Sequence, residues 1–438
     1  NPTIGWGLML GSLAILGMPP FGVFASEFLI LTTAMKQQPW ATPILLVALG
    51  VALRVAFLAI VVALSGCSTV KGWFELGDKS KKGASKPAEL TEFTPSATVS
   101  RLWTAKAGSG EPRLGVIQTP SIADGRVYAA AIEGGVRAFD LQTGASVWQY
   151  KTKLPVSGGP GAGEGLVVVG TLDGDVIALD ASSGTERWTA KVNSEIIAAP
   201  AIGQSTVLVR SNDGRVTAFD AANGQRRWFW NRDLPSLTVR GNDAPVLGPG
   251  FVFVGNDDGT LVALSIVDGR PLWDQAIGQP DGRTELDRMS DVDGSPALDG
   301  ATLFASSYKK QTLAIDAPSG RPLWSQDHGG AGRVGLAGDR VIVADPAGVV
   351  WALDKNGGSA MWQQAGLVRR MLSGAAVQGD FAVVGDYDGY LHWLRLDNGD
   401  FGARVRVGRD PVRAAPVVVD GILVVQTAGG DIGAYRLQ

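Results

Sequence analysis

Gly174-Asp175-Val176-Ile177-Ala178-Leu179-Asp180-Ala181-Ser182-Ser183-Gly184-Thr185-Glu186-Arg187-Trp188 decides the fold, because the chain repeats it. An apolar run ends in Asp, a small polar residue and Gly follow, and Trp comes four residues later. The same order leads through Asp140 and Thr143-Gly144 to Trp148, and through Asp220 and Asn223-Gly224 to Trp228. It recurs through Asp268-Gly269 to Trp273, Ser319-Gly320 to Trp324, and Gly357-Gly358 to Trp362. These tryptophans lie 40, 40, 45, 51 and 38 residues apart, a period that signals propeller blades or similar arrays. A seventh unit carries Asn398-Gly399 but has Ala403 where Trp is expected, and an eighth, 430–437, runs out at Gln438.

Each unit reads as four antiparallel strands. In the first, Asp124-Gly125, Glu133-Gly134-Gly135 and Thr143-Gly144 are turn signals separating 119–123, 126–131, 136–140 and 145–150. Such a sheet is apolar on both faces and must pack between neighbours, so the ring has to close. Residues 101–104, Arg-Leu-Trp-Thr, look like an orphan last strand; paired beside residues 431–437 they complete blade eight. The expected fold is all-β: an eight-bladed propeller closed by an N-terminal strand and preceded by a hydrophobic, helical N-terminal segment. Ala403 is expected to loosen blade seven.

Composition agrees and excludes much. There are 59 glycines, and 39 Lys+Arg against 42 Asp+Glu give a net charge of −3, so no basic field invites nucleic acid. One cysteine and two histidines leave little for a Cys-based zinc site, a disulfide framework or imidazole ligation. Asp257-Asp258-Gly259 and Asp386-Tyr387-Asp388-Gly389 could pass for cation loops, but turn residues between strands explain them better. His328 and His392 read as surface or blade-edge residues, and the glycine-rich 158–163 as a loop rather than a phosphate cradle. No catalytic residue, cofactor or metal is expected.

The first hundred residues differ. Residues 3–18 and 41–64 are hydrophobic, and Leu64-Ser65-Gly66-Cys67 closes the second stretch as in a bacterial lipoprotein signal, which would place a lipid on Cys67. Residues 17–28 resemble a segment of antiporter-like membrane subunits of complex I and related hydrogenases. The reading divides the chain into an appended hydrophobic fragment (1–53), a signal peptide (54–66), an acylated cysteine with a charged flexible tether (67–100) and the propeller (101–438).

Departures from the period carry the functional information. The two long units place extra residues after a tryptophan strand and before the next blade, on one rim: 233–243 and 283–294. Leu237 and Val239 beside Arg240, facing Asp291 and Asp293, have the apolar-plus-charge character of a protein-binding patch.

The Asp-x-x-(Thr/Ser/Asn)-Gly-x-x-x-Trp element resembles the docking motif of PQQ-like propellers. With the lipoprotein signal, the tether and residues 236–241 and 284–293, the chain resembles the BamB family of outer-membrane β-barrel assembly lipoproteins. The resemblance implies a non-enzymatic scaffold on the periplasmic face of the outer membrane, lipid-anchored. It implies that Leu237, Val239, Arg240, Asp291 and Asp293 contact the POTRA domains of BamA, with other BAM components and unfolded outer-membrane β-barrel precursors as further partners. The alternative is a periplasmic quinoprotein-like dehydrogenase or a ligand-binding propeller. Against a dehydrogenase, there is no Cys-Cys pair and no Cys-x-x-Cys-His.

Overall fold

The computed structural model describes residue 43 and residues 86–438, except 111–114, 236–243, 279–291, 293, 309–310 and 331. The hydrophobic stretches, apart from Pro43, and Cys67 lie outside the described residues, as do 17–28 and 68–85 of the expected tether. Residues 87–438 form one unit, which holds all the strands.

Eight four-stranded antiparallel sheets form the ring. Blades one to seven run in chain order from the strands beginning at Ser121, Val156, Ala201, Val246, Ala297, Gly335 and Ala376. Blade eight is Val417–Val419, Ile422–Gln426 and Asp431–Leu437, completed by Val99–Lys106 from the other end of the chain. The closure expected from the orphan strand is present. Second and third strands are buried on both faces, as in Leu166–Thr171, and their apolar runs supply the core. Outer strands alternate: in Glu186–Lys191 only Trp188 is buried.

The repeat motif joins each blade to the next. Asp180 Oδ1 accepts the backbone N–H groups of Ser182 and Ser183, shaping the turn. Gly184 then adopts φ +73°, and a Cβ there would sit 2.5 Å from the Trp148 ring. The Trp148 indole lies on that glycine, and its Nε1 donates to the Ala181 carbonyl at 3.0 Å. Trp103, Trp188, Trp228, Trp273, Trp324 and Trp362 each donate in the same way to the following blade. Opposite each of these seven tryptophans, on the third strand, stands an alanine, followed by a register shift that turns the indole out of its sheet.

Blade seven reverses that pair: Trp393 is on the third strand and Ala403 opposite it on the fourth. Ala403 therefore leaves no gap. Trp393 is fully buried, packs edge-on against Tyr435 of blade eight at 6.2 Å, and donates Nε1 to Gln378 Oε1 at 2.8 Å. Gln378 Nε2 passes the connection to the carbonyls of Gly421 and Tyr435.

Residues 87–98, expected as the end of a flexible tether, form a strap on blade seven. Ala88 N–H donates to the Val368 carbonyl, and Ser96 N–H to that of Gly402 on the outer strand. Phe93 stacks on Phe401 at 5.4 Å, and Leu90 joins the apolar cluster between blades six and seven.

Candidate functional site

In an up-and-down blade, the turn between second and third strands and the link to the next blade emerge at the same end. The two long connections leave from that rim, on either side of the blade-four turn Asn256-Asp257-Asp258-Gly259. Leu237, Val239, Arg240, Asp291 and Asp293 lie outside the described residues; the stems that carry them are described, and Arg232, Ile277 and Val292 of these stems bond to this turn.

Arg232 begins the first stem. Its Nε donates to Asp258 Oδ2 and its Nη1 to Asp274 Oδ2 on the blade-four outer strand, both at 2.5 Å. Burial opposes charge on Arg232, but the two carboxylates outweigh it and hold its pKa above the ordinary value. Asp258 Oδ1 in turn accepts the Thr260 N–H, so the carboxylate is fixed by its own turn. The second stem starts at Ile277, whose N–H donates to the Gly259 carbonyl at 2.8 Å, and returns at Val292, whose N–H donates to the Asn256 carbonyl. Val292 is buried against Gly255, where any side chain would collide with it. Ser295 Oγ of the second connection donates to the Ala244 carbonyl of the first.

Beneath the turn, Asp257 is tied to blade three by Arg210 Nη2 at 2.7 Å, with both side chains about 5% exposed or less. Burial pushes the Asp257 carboxyl up, and Arg210 only partly restores it. Such a pair holds two blades in register; removing one partner strands a buried charge. Asp257 and Asp258 are thus turn residues with a further task. Their oxygens face arginines, and among the described residues no group of three or more His, Cys, Asp or Glu is arranged to hold a metal ion.

The same rim of blade seven holds a second charged cluster, which the sequence pattern does not predict. His392, expected as a surface or edge residue, is fully buried between Asp386 and Arg404: its Nε2 lies 2.9 Å from Asp386 Oδ2, and its Nδ1 accepts from Arg404 Nε at 3.2 Å. Arg370 Nε also reaches Asp386 Oδ2, at 2.7 Å. Burial pushes the imidazole below its ordinary pKa, Asp386 opposing and the two arginines adding to the shift. Burial alone would raise Asp386, but His392, the Tyr390 N–H and Arg370 leave it lowered. His328 is half-buried and stacks on Trp351 at 3.8 Å. The one signal for the buried cluster was Asp386 and His392 six residues apart across a turn.

A family model described as "Outer membrane protein assembly factor BamB" matches residues 93–155, 132–364 and 346–437. The protein of that name from Xanthomonas campestris is 62% identical over 395 residues, covering 88% of this chain and 97% of the relative. Its Pseudomonas aeruginosa namesake is 43% identical over 383 residues, 87% of this chain and 98% of the relative. The Escherichia coli K12 protein is 33% identical over 382 residues, 85% and 95%. Among solved structures, BamB from Moraxella catarrhalis superposes with a TM-score of 0.71 at 26% identity, covering 77% of this chain and all of the other. Quinohemoprotein alcohol dehydrogenase from Comamonas testosteroni gives 0.60 at 17% identity, over 80% of this chain and 78% of that one, a likeness of fold alone.

Proposed function

This chain belongs to the BamB family of outer membrane protein assembly factors, and from that membership we propose that it works as a scaffold whose loop rim docks on the POTRA domains of BamA. It is an assembly factor and not an enzyme, associated with the outer membrane. In this reading the ring stands at the periplasmic face, held by a lipid on Cys67, with 54–66 removed as a signal and 1–53 an appended fragment without activity of its own. Leu237, Val239 and Arg240 on one loop, and Asp291 and Asp293 on the other, make the contact. Barrel precursors benefit through BamA and the other components of the machinery.

The observation that carries the docking is the shared footing of the two stems on the Asn256–Asp258 turn. The stems rest on one turn and are joined by Ser295 and the Ala244 carbonyl, so the points where both loops leave and rejoin the ring are held together, which supports one shared contact at a lower ordering cost. The test is co-purification with the POTRA domains of BamA, wild type beside Arg240→Glu and the double variant Asp291→Arg, Asp293→Arg. Binding by wild type and its loss in either variant is the expected result; a folded wild-type ring that fails to bind ends the reading. Mass spectrometry of the membrane-extracted protein, beside Cys67→Ser, tests the anchor.

A further inference from the structure

The eight outer strands occupy equivalent registers, so a side chain foreign to the repeat is visible by comparison. The residue that follows the docking position is Gln149, Thr189, Asp274, Ser325, Gln363 and Thr104 in blades one, two, four, five, six and eight. In blade three it is Phe229, 50% exposed. In blade seven it is Arg404.

Those two blades are also the ones that pair an aromatic ring with an arginine on this strand. Phe401 and Arg404 in blade seven stand where Arg226 and Phe229 stand in blade three, so the two types are exchanged. Arg404 lies 5.3 Å from the Phe401 centroid, and Arg226 lies 5.6 Å from that of Phe229. Blade three adds Arg215, 4.9 Å over the same ring.

In blade seven the pair is covered. The strap, which carries Glu89, Leu90, Glu92 and Phe93, sets Phe93 against Phe401 and beneath Arg404, and its Thr91 carbonyl accepts from Arg404 Nη1 at 2.9 Å. The chain thus displays one occupant such a surface takes: an extended segment that lays an aromatic ring on the pair and offers an oxygen acceptor to its arginine. In blade three no described residue plays that part. Neither Arg215 nor Arg226 has an ion pair among the described residues, and Arg215 Nε is buried without a partner. Neighbouring cations are neutralised, Arg187 by Asp180, Arg227 by Asp220 and Arg232 by Asp258 and Asp274. Exposed Leu234 continues the surface into the stem of the first long loop.

We propose that the outer edge of blade three, Arg215, Arg226 and Phe229, is a second docking surface for the partner held by the loops, taking an extended acidic segment with an apolar side chain over Phe229. This rests on the docking reading above and extends its footprint from the rim down the side of the ring. Two guanidiniums on one ring suit a carboxylate-bearing chain, and desolvation on binding strengthens both the ion pairs and the ring contact.

The experiment measures affinity of the full chain for the POTRA domains of BamA with Phe229→Ser, Arg226→Glu and Arg215→Glu, beside Arg240→Glu. Phe229 and Arg226 are exposed, so their substitution leaves the ring folded, which a thermal melt verifies. About a tenfold loss for Phe229→Ser, and at least as much for Arg226→Glu, is expected. Affinities within twofold of wild type, with Arg240→Glu weakened, would overturn the second surface while leaving the loops in place. Normal binding by Arg240→Glu as well would remove both readings. Amide exchange of those N–H groups of 226–231 that face away from the neighbouring strand, if already slow in the free protein and unchanged on binding, would show that the chain's own segments cover the edge and would also overturn it.

Discussion

Seven blade interfaces in the ring are closed by an indole on an outer strand, and the one between blades seven and eight by an indole one strand further in. In the seven, the tryptophan rests on the glycine of a hairpin turn, as Trp188 does on Gly224, and donates to the carbonyl that opens that turn. Blade eight has no such hairpin, because its fourth strand arrives from the other end of the chain. An outer-strand indole of blade seven would have no glycine to lie on. Trp393 instead sits opposite Ala403, meets Tyr435, and reaches the backbone of blade eight through Gln378. The docking tryptophan is therefore a partner of the turn, not of the sheet, and where closure removes the turn the aromatic volume shifts by one strand.

The largest effect should come from the indoles themselves. Trp393→Ala is expected to cost about 3–5 kcal/mol in chemical denaturation, with Trp188→Ala toward the lower end because its ring keeps some exposure. A Trp393→Ala protein within about 1 kcal/mol of wild type would break the equivalence of the two kinds of interface. Next comes the relay. Gln378→Leu strands the Trp393 N–H and weakens the hold on two carbonyls, at an expected cost of about 1–3 kcal/mol. Gln204 makes a like inter-blade bond to the Gly248 carbonyl at 2.8 Å, but in half-solvated surroundings. Gln204→Leu should cost less than about 1 kcal/mol, since water replaces the lost partner. Equal losses at the two glutamines would mean that burial is not what makes the seam depend on Gln378.

Much of this architecture was legible in the sequence. The Asp, Gly and Trp of the first six units, with the partial seventh and eighth, gave the blade count, and the unpaired Arg101-Leu102-Trp103-Thr104 showed how the ring closes. The exchange at blade seven was not, because Trp393 and Ala403 become a pair only once the cross-strand register is known. The strap was hidden for a different reason: Leu90 and Phe93 are too few apolar residues to show a period, and the cluster that Leu90 joins and the Phe401 ring that Phe93 meets lie hundreds of positions away. Of the candidate site, sequence placed both long connections on one rim. It did not reveal that Arg232, Asp258 and the Asn256 carbonyl anchor them together, because turn aspartates look alike whether or not an arginine from the next blade meets them.

The strand that holds Trp393 departs from the repeat on its other face as well, and the smallest predicted effect tests that side. His392 faces Asp386 across the turn, Arg404 on the outer strand, Arg370 on the connection from blade six, and the rings of Tyr390 and Phe401. Since Arg404 donates to Nδ1, the proton of the neutral ring is on Nε2 and points at Asp386. Burial holds the folded pKa below the ordinary 6.5, so the unfolded chain takes up a proton first as pH falls. Stability from this group is flat above 6.5 and declines below it, by up to about 1.4 kcal/mol per pH unit, until the folded imidazole itself is protonated. Asp386 acts in a separate window: its lowered pKa contributes stability above 3.8 that is lost only as pH drops beneath that value. Comparing wild type with His392→Gln from pH 7.5 to 5.5 reads the imidazole, because His328 is common to both and Arg370 still pairs with Asp386 in the variant. Wild type should lose about 1 kcal/mol more than the variant over that range, whatever the constant offset between them. Parallel curves would mean that the imidazole titrates alike in the folded and unfolded chain. A wild type that gained on the variant as pH fell would mean that the folded ring holds the extra proton, so that the Arg404 contact to Nδ1 would have to be given up.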